Sequence, residues 1–275
     1  MIRYPLILVV SLAGCFGLQS LALKTVGGKT RKSESNYFSS VARLQTETRD
    51  QPEVLFLGSS LTGRLPDRPQ VGNLGCDGGS AVITLRALDE GILPGAKVIF
   101  VEANTLAYEL QGRGKEITAA MRTDWFKVGV KVPNLGATAR PSAFIYSWLD
   151  AKRNPVGIAP AADAPLYSEA GSGFTVVEQS PALVGPEEHS LVEELSGILD
   201  RLTKKGMDLK LVMLPAGGEE TEVDLRIAAG VAARTKLPWW NMYEDPVENE
   251  IRYTDGRHLD PASAAAVIDA LLRKK

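Results

Sequence analysis

The chain contains only two histidines among its 275 residues, His189 and His258. Any reaction that needs an imidazole must therefore use one of them. His258 follows Asp255 by three residues, and far upstream Ser60 follows a short apolar run. A serine hydroxyl attacks an ester only when an imidazole takes its proton and a carboxylate orients that imidazole. Ser60, His258 and Asp255 are thus the residue types that nucleophilic acyl transfer requires.

Three other residues compete for these roles, each less favourably. His189 lies beside acidic residues at the start of an amphipathic segment, which is typical of a solvated helix position. Ser59 is an alternative nucleophile, but its spacing after the apolar run favours Ser60. Cys76 has no neighbouring base in the sequence and is interpreted as a small buried residue.

Polar residues and glycines follow three of the apolar runs. The run at 54–57 is followed by Gly-Ser-Ser, the run at 71–74 by a segment that contains Gly78, and the run at 98–101 by a segment that contains Asn104. A glycine N–H and an asparagine amide at neighbouring strand ends could stabilise an oxyanion. Taken singly, each of these segments also suits an ordinary turn.

The elements that must position these residues alternate between strand and helix. Continuous apolar runs predict five buried strands, at 54–57, 71–74, 98–101, 209–214 and 239–242. Apolar residues at spacings of three and four predict the main helices, at 80–93, 187–205, 222–235 and 261–273. This alternation predicts an α/β fold with a five-stranded parallel sheet covered by helices on both faces.

The chain divides into three parts by composition. Residues 1–23 are predicted to be a signal peptide or an N-terminal membrane anchor. Residues 24–50 are polar and predict a tether followed by a short helix at about 37–44. Residues 51–275 predict one α/β domain, interrupted by an insertion at 105–186 that is rich in Gly, Pro and Ala and carries scattered aromatic residues.

The N-terminal segment favours an exported protein. Residues 5–23 are uncharged and mostly apolar, and small residues before position 23 suit signal cleavage after Ala22. The alternative of a lipoprotein rests on Leu-Ala-Gly-Cys, which ends at Cys15. Basic residues after the segment disagree with simple export, because positive charge normally stays inside. The predicted location is periplasmic, secreted or membrane-anchored, with membrane attachment through this segment.

Composition excludes several classes of function. Lys and Arg number 31 against 33 Asp and Glu, so the chain has no electrostatic footprint for nucleic acid. Two cysteines exclude a disulfide scaffold and a Cys-rich zinc site. No metal or organic cofactor is predicted. A phosphate-binding loop at residues 58–60 is disfavoured, because it lacks the lysine and the glycine spacing of such loops.

Four segments together resemble the SGNH (GDSL-like) hydrolase superfamily. Residues 56–61 (FLGSSL) resemble its first block, 73–78 (NLGCDG) its second, 101–104 (VEAN) its third, and 255–259 (DGRHL) its last. The resemblance implies a three-layer α/β/α, flavodoxin-like fold. It also implies Ser60 as nucleophile, His258 as base and Asp255 as the acid that orients it. Ser60, Gly78 and Asn104 would then form the oxyanion hole.

The blocks depart from the family pattern at three positions. Ser59 stands where the first block has Asp, and Glu102 and Thr105 replace Gly and Asp of the third block. Such variants are similar to exported or membrane-tethered members, some of which move acetyl groups on cell-surface polysaccharides. The resemblance implies a serine esterase or O-acyltransferase acting on a small-molecule or carbohydrate ester, with an O-acetylated carbohydrate as first candidate. The alternative is a catalytically weak or inactive binding or assembly component of a cell-envelope complex.

Overall fold

The computed structural model describes residues 3–25, 33–49, 51–153, 173–218, 221–246 and 251–275. Within these ranges the five predicted strands form one sheet. The strands are β1 (Val54–Gly58), β2 (Val71–Gly75), β3 (Val98–Glu102), β4 (Asp208–Met213) and β5 (Trp239–Asn241). All neighbours pair in parallel, in the order β2-β1-β3-β4-β5. The predicted five-stranded parallel sheet is confirmed.

Ten α-helices accompany the sheet in the described residues. They are α1 (Arg3–Thr25), α2 (Asn36–Thr46), α3 (Ser60–Gly63), α4 (Ala81–Asp89), α5 (Lys115–Met121), α6 (Asp124–Lys131), α7 (Pro141–Arg153), α8 (Gly185–Lys204), α9 (Glu222–Thr235) and α10 (Pro261–Arg273). Short 3-10 segments lie at Leu106–Gln111, Pro133–Leu135 and Ala137–Ala139. The four long helices predicted in the α/β domain are all present, with ends within a few residues of the expected ones.

Each strand of the sheet contributes to two separate cores. Because successive side chains of a strand point to opposite faces, Leu55 and Leu57 of β1 pack with residues of α2, α4, α8 and α9. Val54 and Phe56 pack on the other face with residues of α10 and with Trp240. Helices therefore cover both faces, as expected for the three-layer, flavodoxin-like fold.

Helix α2 belongs to this packed unit. Its Val41 and Leu44 are fully buried, and the helix contacts α5, α6 and β2. Ser35 caps its first turn by accepting a hydrogen bond from the backbone N–H of Phe38. The packed unit thus extends N-terminal of residue 51, where composition placed the start of the domain. Of the expected tether, residues 26–32 lie outside the described residues.

The insertion contains helices of its own. Residues 105–186 include the 3-10 segment at 106–111, helices α5 to α7 and the first residues of α8, while residues 154–172 lie outside the described ranges. Thr175 pairs antiparallel with Trp239, so the end of the insertion borders the edge strand β5. The middle of the insertion packs beside α2 through α5 and α6.

Helix α1 is long and apolar enough to cross a membrane. Residues 4–25 have a mean hydropathy of 2.1 in their most apolar window, and almost none of that window is buried. Among the described residues it is the one helix with this property. Such a helix is compatible with the predicted signal or anchor and with export in general terms.

Candidate active site

Ser60 lies at a sharp strand-to-helix turn. It follows Ser59 at the end of β1 and is the first residue of α3, and Ser59 caps this helix by accepting from the backbone N–H of Leu61 at 3.1 Å. In the order β2-β1-β3, the connection after β1 leads to β2 on one side of β1, and the connection after β2 leads to β3 on its other side. In open parallel sheets, ligands bind at the carboxyl ends of strands near such a reversal. The half-buried Ser60 therefore lies at the edge where a ligand is expected.

A tight loop before α10 positions His258. The backbone N–H of Thr254 donates to the carbonyl of His258 at 2.9 Å, and Tyr253 pairs with Leu259. Within the loop, Asp255 Oδ1 accepts from the backbone N–H groups of Arg257 at 3.1 Å and His258 at 2.8 Å. Asp255 thus holds the backbone of the loop as well as the imidazole.

The loop that follows β4 touches this histidine loop at Gly217. Its backbone N–H donates to the carbonyl of Arg257 at 2.9 Å. A side chain at Gly217 would overlap the carbonyl of Gly256, so the two loops approach this closely only because residue 217 is glycine. The position of His258 therefore depends on β4 as well as on its own loop.

Ser60, His258 and Asp255 form one chain of hydrogen bonds. His258 Nε2 lies 2.8 Å from Ser60 Oγ, and His258 Nδ1 lies 2.7 Å from Asp255 Oδ2. The backbone N–H of His258, its imidazole and the N–H of Arg257 together hold the pKa of Asp255 well below its usual range. A charged Asp255 keeps a proton on Nδ1, which leaves the lone pair of Nε2 directed at the Ser60 hydroxyl. This arrangement can deprotonate Ser60 as it attacks a carbonyl carbon.

Asn104 lies after β3, and its amide is engaged by the neighbouring strand. Its Oδ1 accepts from the backbone N–H of Leu214 at 2.8 Å, and its Nδ2 donates to the carbonyl of Leu214 at 2.9 Å. The same nitrogen donates to Tyr243 Oη at 3.3 Å, and Tyr243 Oη also accepts from the N–H of Ala216. Asn104 is fully buried and joins the ends of β3 and β4. Its role as an oxyanion donor stays a prediction.

Gly78 lies in the turn between β2 and α4, and α2 supports that turn. Gly78 has a φ of +77°, which favours glycine, and it is exposed. Arg43 of α2 donates to the carbonyl of Gly75 and forms an ion pair with Asp77 at 3.5 Å. Ser40 Oγ accepts from the backbone N–H of Asp77 at 2.9 Å. The oxyanion role of Gly78 likewise stays a prediction.

Glu102 lies beside the turn that carries Ser60, and the sequence did not reveal its contacts. It is 2% exposed, at the end of β3. Its Oε2 accepts from the backbone N–H groups of Ser59 at 2.9 Å and Thr62 at 3.0 Å, and from Thr62 Oγ1 at 2.7 Å. Its Oε1 accepts from Ser59 Oγ at 2.7 Å and from Thr105 Oγ1 at 2.9 Å. One buried carboxylate thus holds both ends of the turn that carries Ser60.

The three departures from the SGNH pattern belong to this single network. Ser59, Glu102 and Thr105 are the three residues, and both hydroxyls donate to the one carboxylate. A side chain at Gly58 would overlap the Glu102 carboxylate, so the glycine before the serines gives the acid its space. A signal was present in the sequence, since Glu102 is an acid in place of the third block's Gly, while Ser59 and Thr105 stand where the resembled blocks have Asp. The sequence could not show that the changed residues touch.

The remaining candidates lie outside this arrangement. His189 is exposed on α8, with Nδ1 3.2 Å from the carbonyl of Gly185 in its own first turn. Cys76 is fully buried, and this burial raises the pKa of its thiol to about 12. Within the described ranges, no group of three His, Cys, Asp or Glu side chains lies together as a metal site would need.

The fold and the site define an α/β protein of the three-layer, flavodoxin-like class. A serine, a histidine and an aspartate are hydrogen-bonded in line at the carboxyl edge of its sheet. No family model, curated protein or solved structure matches the chain.

Proposed function

We propose that this protein is a serine-dependent esterase or O-acyltransferase of the SGNH type. The observation that carries the proposal is the chain of hydrogen bonds from Asp255 through His258 to Ser60, at 2.7 and 2.8 Å. Ser60 and His258 are 198 residues apart in the sequence. Their meeting at the ligand-binding edge of a parallel sheet is what an acyl-transfer site requires.

In the proposed reaction, Ser60 Oγ attacks the ester carbonyl while His258 Nε2 takes its proton. Asp255 stabilises the imidazolium that results. His258 then returns the proton to the leaving alcohol as the ester C–O bond breaks, which leaves an acyl group on Ser60. Water, or the hydroxyl of a sugar, attacks this acyl group with His258 again as the base. The bond between the acyl carbon and Ser60 Oγ then breaks as His258 returns the proton to Ser60 Oγ. Hydrolysis and transfer thus use the same residues and differ in the acceptor.

The oxyanion of the tetrahedral intermediate needs hydrogen-bond donors on the side of Ser60. The backbone N–H groups of Ser60 and Gly78 and the amide of Asn104 are the proposed donors. Asn104 Nδ2 would exchange its 3.3 Å contact with Tyr243, which is longer than its 2.9 Å contact with Leu214, for the oxyanion. Loss of one such donor commonly costs about 10²-fold in rate.

The proposed substrate class is an ester at the cell envelope, with an O-acetylated carbohydrate first. The apolar helix α1 supports an envelope location, since it could hold the protein at a membrane after export. The proposal assigns α1 as an anchor that is retained, with the α/β domain on the outer side of the membrane.

The test is hydrolysis of a chromogenic acetate ester by the full chain in mild detergent. Ser60→Ala and His258→Ala should each lower the rate by about 10³-fold or more, because each removes a reacting group. A fluorophosphonate probe should label the wild type and fail to label Ser60→Ala.

Matched controls come from the same residue types. His189→Ala and Ser180→Ala alter an exposed histidine and an exposed serine away from the site and should leave the rate unchanged. Equal rates in the wild type, Ser60→Ala and His258→Ala would reject the catalytic assignment.

A second candidate is a binding or assembly component with little or no catalysis. It is favoured by the engagement of Asn104 with Leu214 and Tyr243, which occupies the amide that would stabilise the oxyanion. Absence of probe labelling at Ser60 in a folded wild type would support this candidate over the enzyme.

A further inference from the structure

The insertion presents a set of large apolar side chains to the outside. They lie on α6, on the 3-10 segment 133–135 and on α7, and each is between 40% and 61% exposed. We name them the insertion face: Trp125, Val128, Leu135, Ile145, Trp148 and Leu149. Ile145, Trp148 and Leu149 share one side of α7, since residues three and four apart on a helix are neighbours.

The segment that joins these helices is hydrogen-bonded to the second half of α1. Asn134 Nδ2 donates to the carbonyl of Phe16 at 3.1 Å and to Ser20 Oγ at 2.6 Å. Gln19 Nε2 donates to the carbonyl of Ala139 at 2.7 Å. Residues 4–18 of α1 are exposed along their whole length. Within the described part of the insertion, these contacts with α1 therefore lie near the end from which the α/β domain follows.

The contacts between α1 and the segment 133–139 lie in the half of α1 that would be nearest the lipid interface on the side of the α/β domain. At about 1.5 Å per residue, residues 4–25 are about 33 Å long, close to the roughly 30 Å hydrocarbon core of a bilayer. Phe16 and Ser20 precede Thr25 by nine and five residues, or about 14 and 8 Å. Helices that lie in an interface enter it by about 5–10 Å. When α1 crosses a bilayer, the contact of Asn134 with Ser20 lies at this depth, and its contact with Phe16 lies about 4 Å deeper than this range.

The composition of the face also suits a lipid surface. Tryptophan is enriched where headgroups meet acyl chains, because its ring is apolar and its N–H is polar. Trp125 and Val128 of α6 alternate with the exposed Lys127 and Lys131, and Lys127 also pairs loosely with Asp124 at 3.4 Å. Apolar residues flanked by lysines are typical of helices that bind a membrane surface.

We propose that the insertion face docks on the bilayer that α1 crosses, with Trp125 and Trp148 in the lipid interface. The inference rests on the part of the proposed function that retains α1 as an anchor. It is independent of whether Ser60 is catalytic.

The tryptophans of the chain make a direct test possible. There are four, and the other two, Trp239 and Trp240, are buried in β5. The full chain is reconstituted in vesicles of phosphatidylcholine and phosphatidylglycerol, with or without bromine on the acyl chains. Bromolipids should quench roughly half of the tryptophan emission, because two of the four rings would lie in the interface.

Two variants assign the quenching to the face. Trp125→Phe/Trp148→Phe should lose it, because only the buried tryptophans remain. Adding Leu225→Trp to this pair is the matched control: position 225 on α9 is exposed but lies outside the insertion. Emission from the tryptophan introduced at position 225 should be insensitive to bromolipid and should be quenched by aqueous iodide.

Each outcome bears on the proposal. Bromolipid quenching that disappears in the double variant supports it. A wild type that floats with vesicles after alkaline extraction, yet is not quenched by bromolipid, overturns docking while the anchor stands. Shielding of Trp125 and Trp148 from both bromolipid and iodide would indicate a second copy or another protein on the face, and also overturns it. Failure to float removes the anchor and the docking with it. Ester hydrolysis by the same variants measures whether Ser60 is catalytic, independently of membrane docking.

Discussion

The carboxylate of Glu102 accepts five hydrogen bonds in a place almost closed to water. A buried charge is tolerated only when hydrogen bonds replace those it would make to water. Here the backbone N–H groups of Ser59 and Thr62 donate two of these hydrogen bonds. These N–H groups belong to the first turn of α3, where helix donors lack partners within the helix. Glu102 therefore orients the turn that presents Ser60, without itself reaching the triad in the structure. In the proposed reaction it is a positioning residue.

A double substitution tests whether an acid at position 59, where the resembled first block has Asp, can replace the carboxylate of Glu102. Ser59→Asp alone should lower the free energy of unfolding by about 3 kcal/mol or more, because it buries a second carboxylate beside the first. Glu102→Gly alone should cost about 2–4 kcal/mol by leaving buried donors unpaired. The free energy of unfolding lost in the double variant should be at least about 2 kcal/mol smaller than the sum of the two single losses. Urea unfolding of the three variants and the wild type measures this.

The control pairs Ser59→Asp with Glu188→Gly, which removes a buried glutamate from α8, outside this network. That pair should be additive within about 0.5 kcal/mol. Additivity of Ser59→Asp with Glu102→Gly would show that the two positions are independent. A positioning role further predicts that ester hydrolysis recovers in the coupled double variant relative to Glu102→Gly, through kcat more than KM.

At the scale of elements, the proposed triad is assembled from two loops, and a third loop contacts one of them. Ser60 comes from the turn after β1, and Asp255 and His258 come from the loop before α10. Asp260 caps α10 by accepting from the N–H of Ser263 at 2.7 Å, which fixes the end of that loop. The loop after β4 supports the histidine loop at Gly217. The geometry of the proposed triad therefore depends on contacts between strand-end loops.

Gly217→Ala should impair activity more than stability. The new methyl group overlaps the Gly256 carbonyl and must push the histidine loop away from Ser60. A shift of about 1 Å can cost about 10²-fold in rate, whereas overpacking of this kind costs about 1–3 kcal/mol. Ester hydrolysis and thermal unfolding measure the two effects.

Gly197→Ala on α8 is the matched control, since a side chain there meets only the flexible end of Arg201. It should keep the wild-type rate and stabilise the helix slightly. A wild-type rate in Gly217→Ala would mean that the contact between the loops does not position His258.

At the scale of the whole molecule, ion pairs join the helices that cover one face of the sheet. Arg201 of α8 pairs with Asp89 at the end of α4 at 2.7 Å, and Arg226 of α9 pairs with Glu188 of α8 at 2.9 Å. The hydrogen bond from Arg201 lowers the pKa of Asp89, and that from Arg226 lowers the pKa of Glu188. Together with Asp255, three carboxylates are thus held charged by the folded state.

This predicts a protein that loses stability in acid. A carboxylate whose pKa is lower in the folded state contributes stability that is fully present above its unfolded pKa. That contribution is lost as pH falls through the folded value. Tm should therefore be nearly constant from about pH 7 to 5 and fall below about pH 4.5. Thermal unfolding followed by circular dichroism at each pH measures this.

Arg226→Gln should lower Tm at neutral pH and make the fall in acid less steep, because Glu188 loses its partner. Arg234→Gln is the control, since Arg234 pairs with the exposed Glu193 at 3.4 Å. A Tm that stays constant down to pH 3 would contradict the assignment.

Much of the fold could be predicted from the sequence because its signals are local. The five apolar runs became the five strands, and Asp260-Pro261 marked the start of α10 where the structure has it. The pairing of Asp255 with His258 is also local, since three residues of one loop separate them. The sequence predicted helix α2, at about 37–44, but not its packing into the domain. Its burial depends on α5 and α6 of the insertion, whose position no pattern within α2 indicates.

The residue types determined what chemistry the chain can carry, and their order along the chain determined the α/β class. With two histidines, and with His189 exposed on α8, His258 is the imidazole left for a triad. Only the tertiary structure brought His258 to Ser60, gathered Ser59, Thr62 and Thr105 around Glu102, and laid residues 133–139 beside α1. The physical reason is the same in each case. These contacts join segments that are distant in the chain, and the packing of the sheet and helices, not any local pattern, decides which distant polar groups meet.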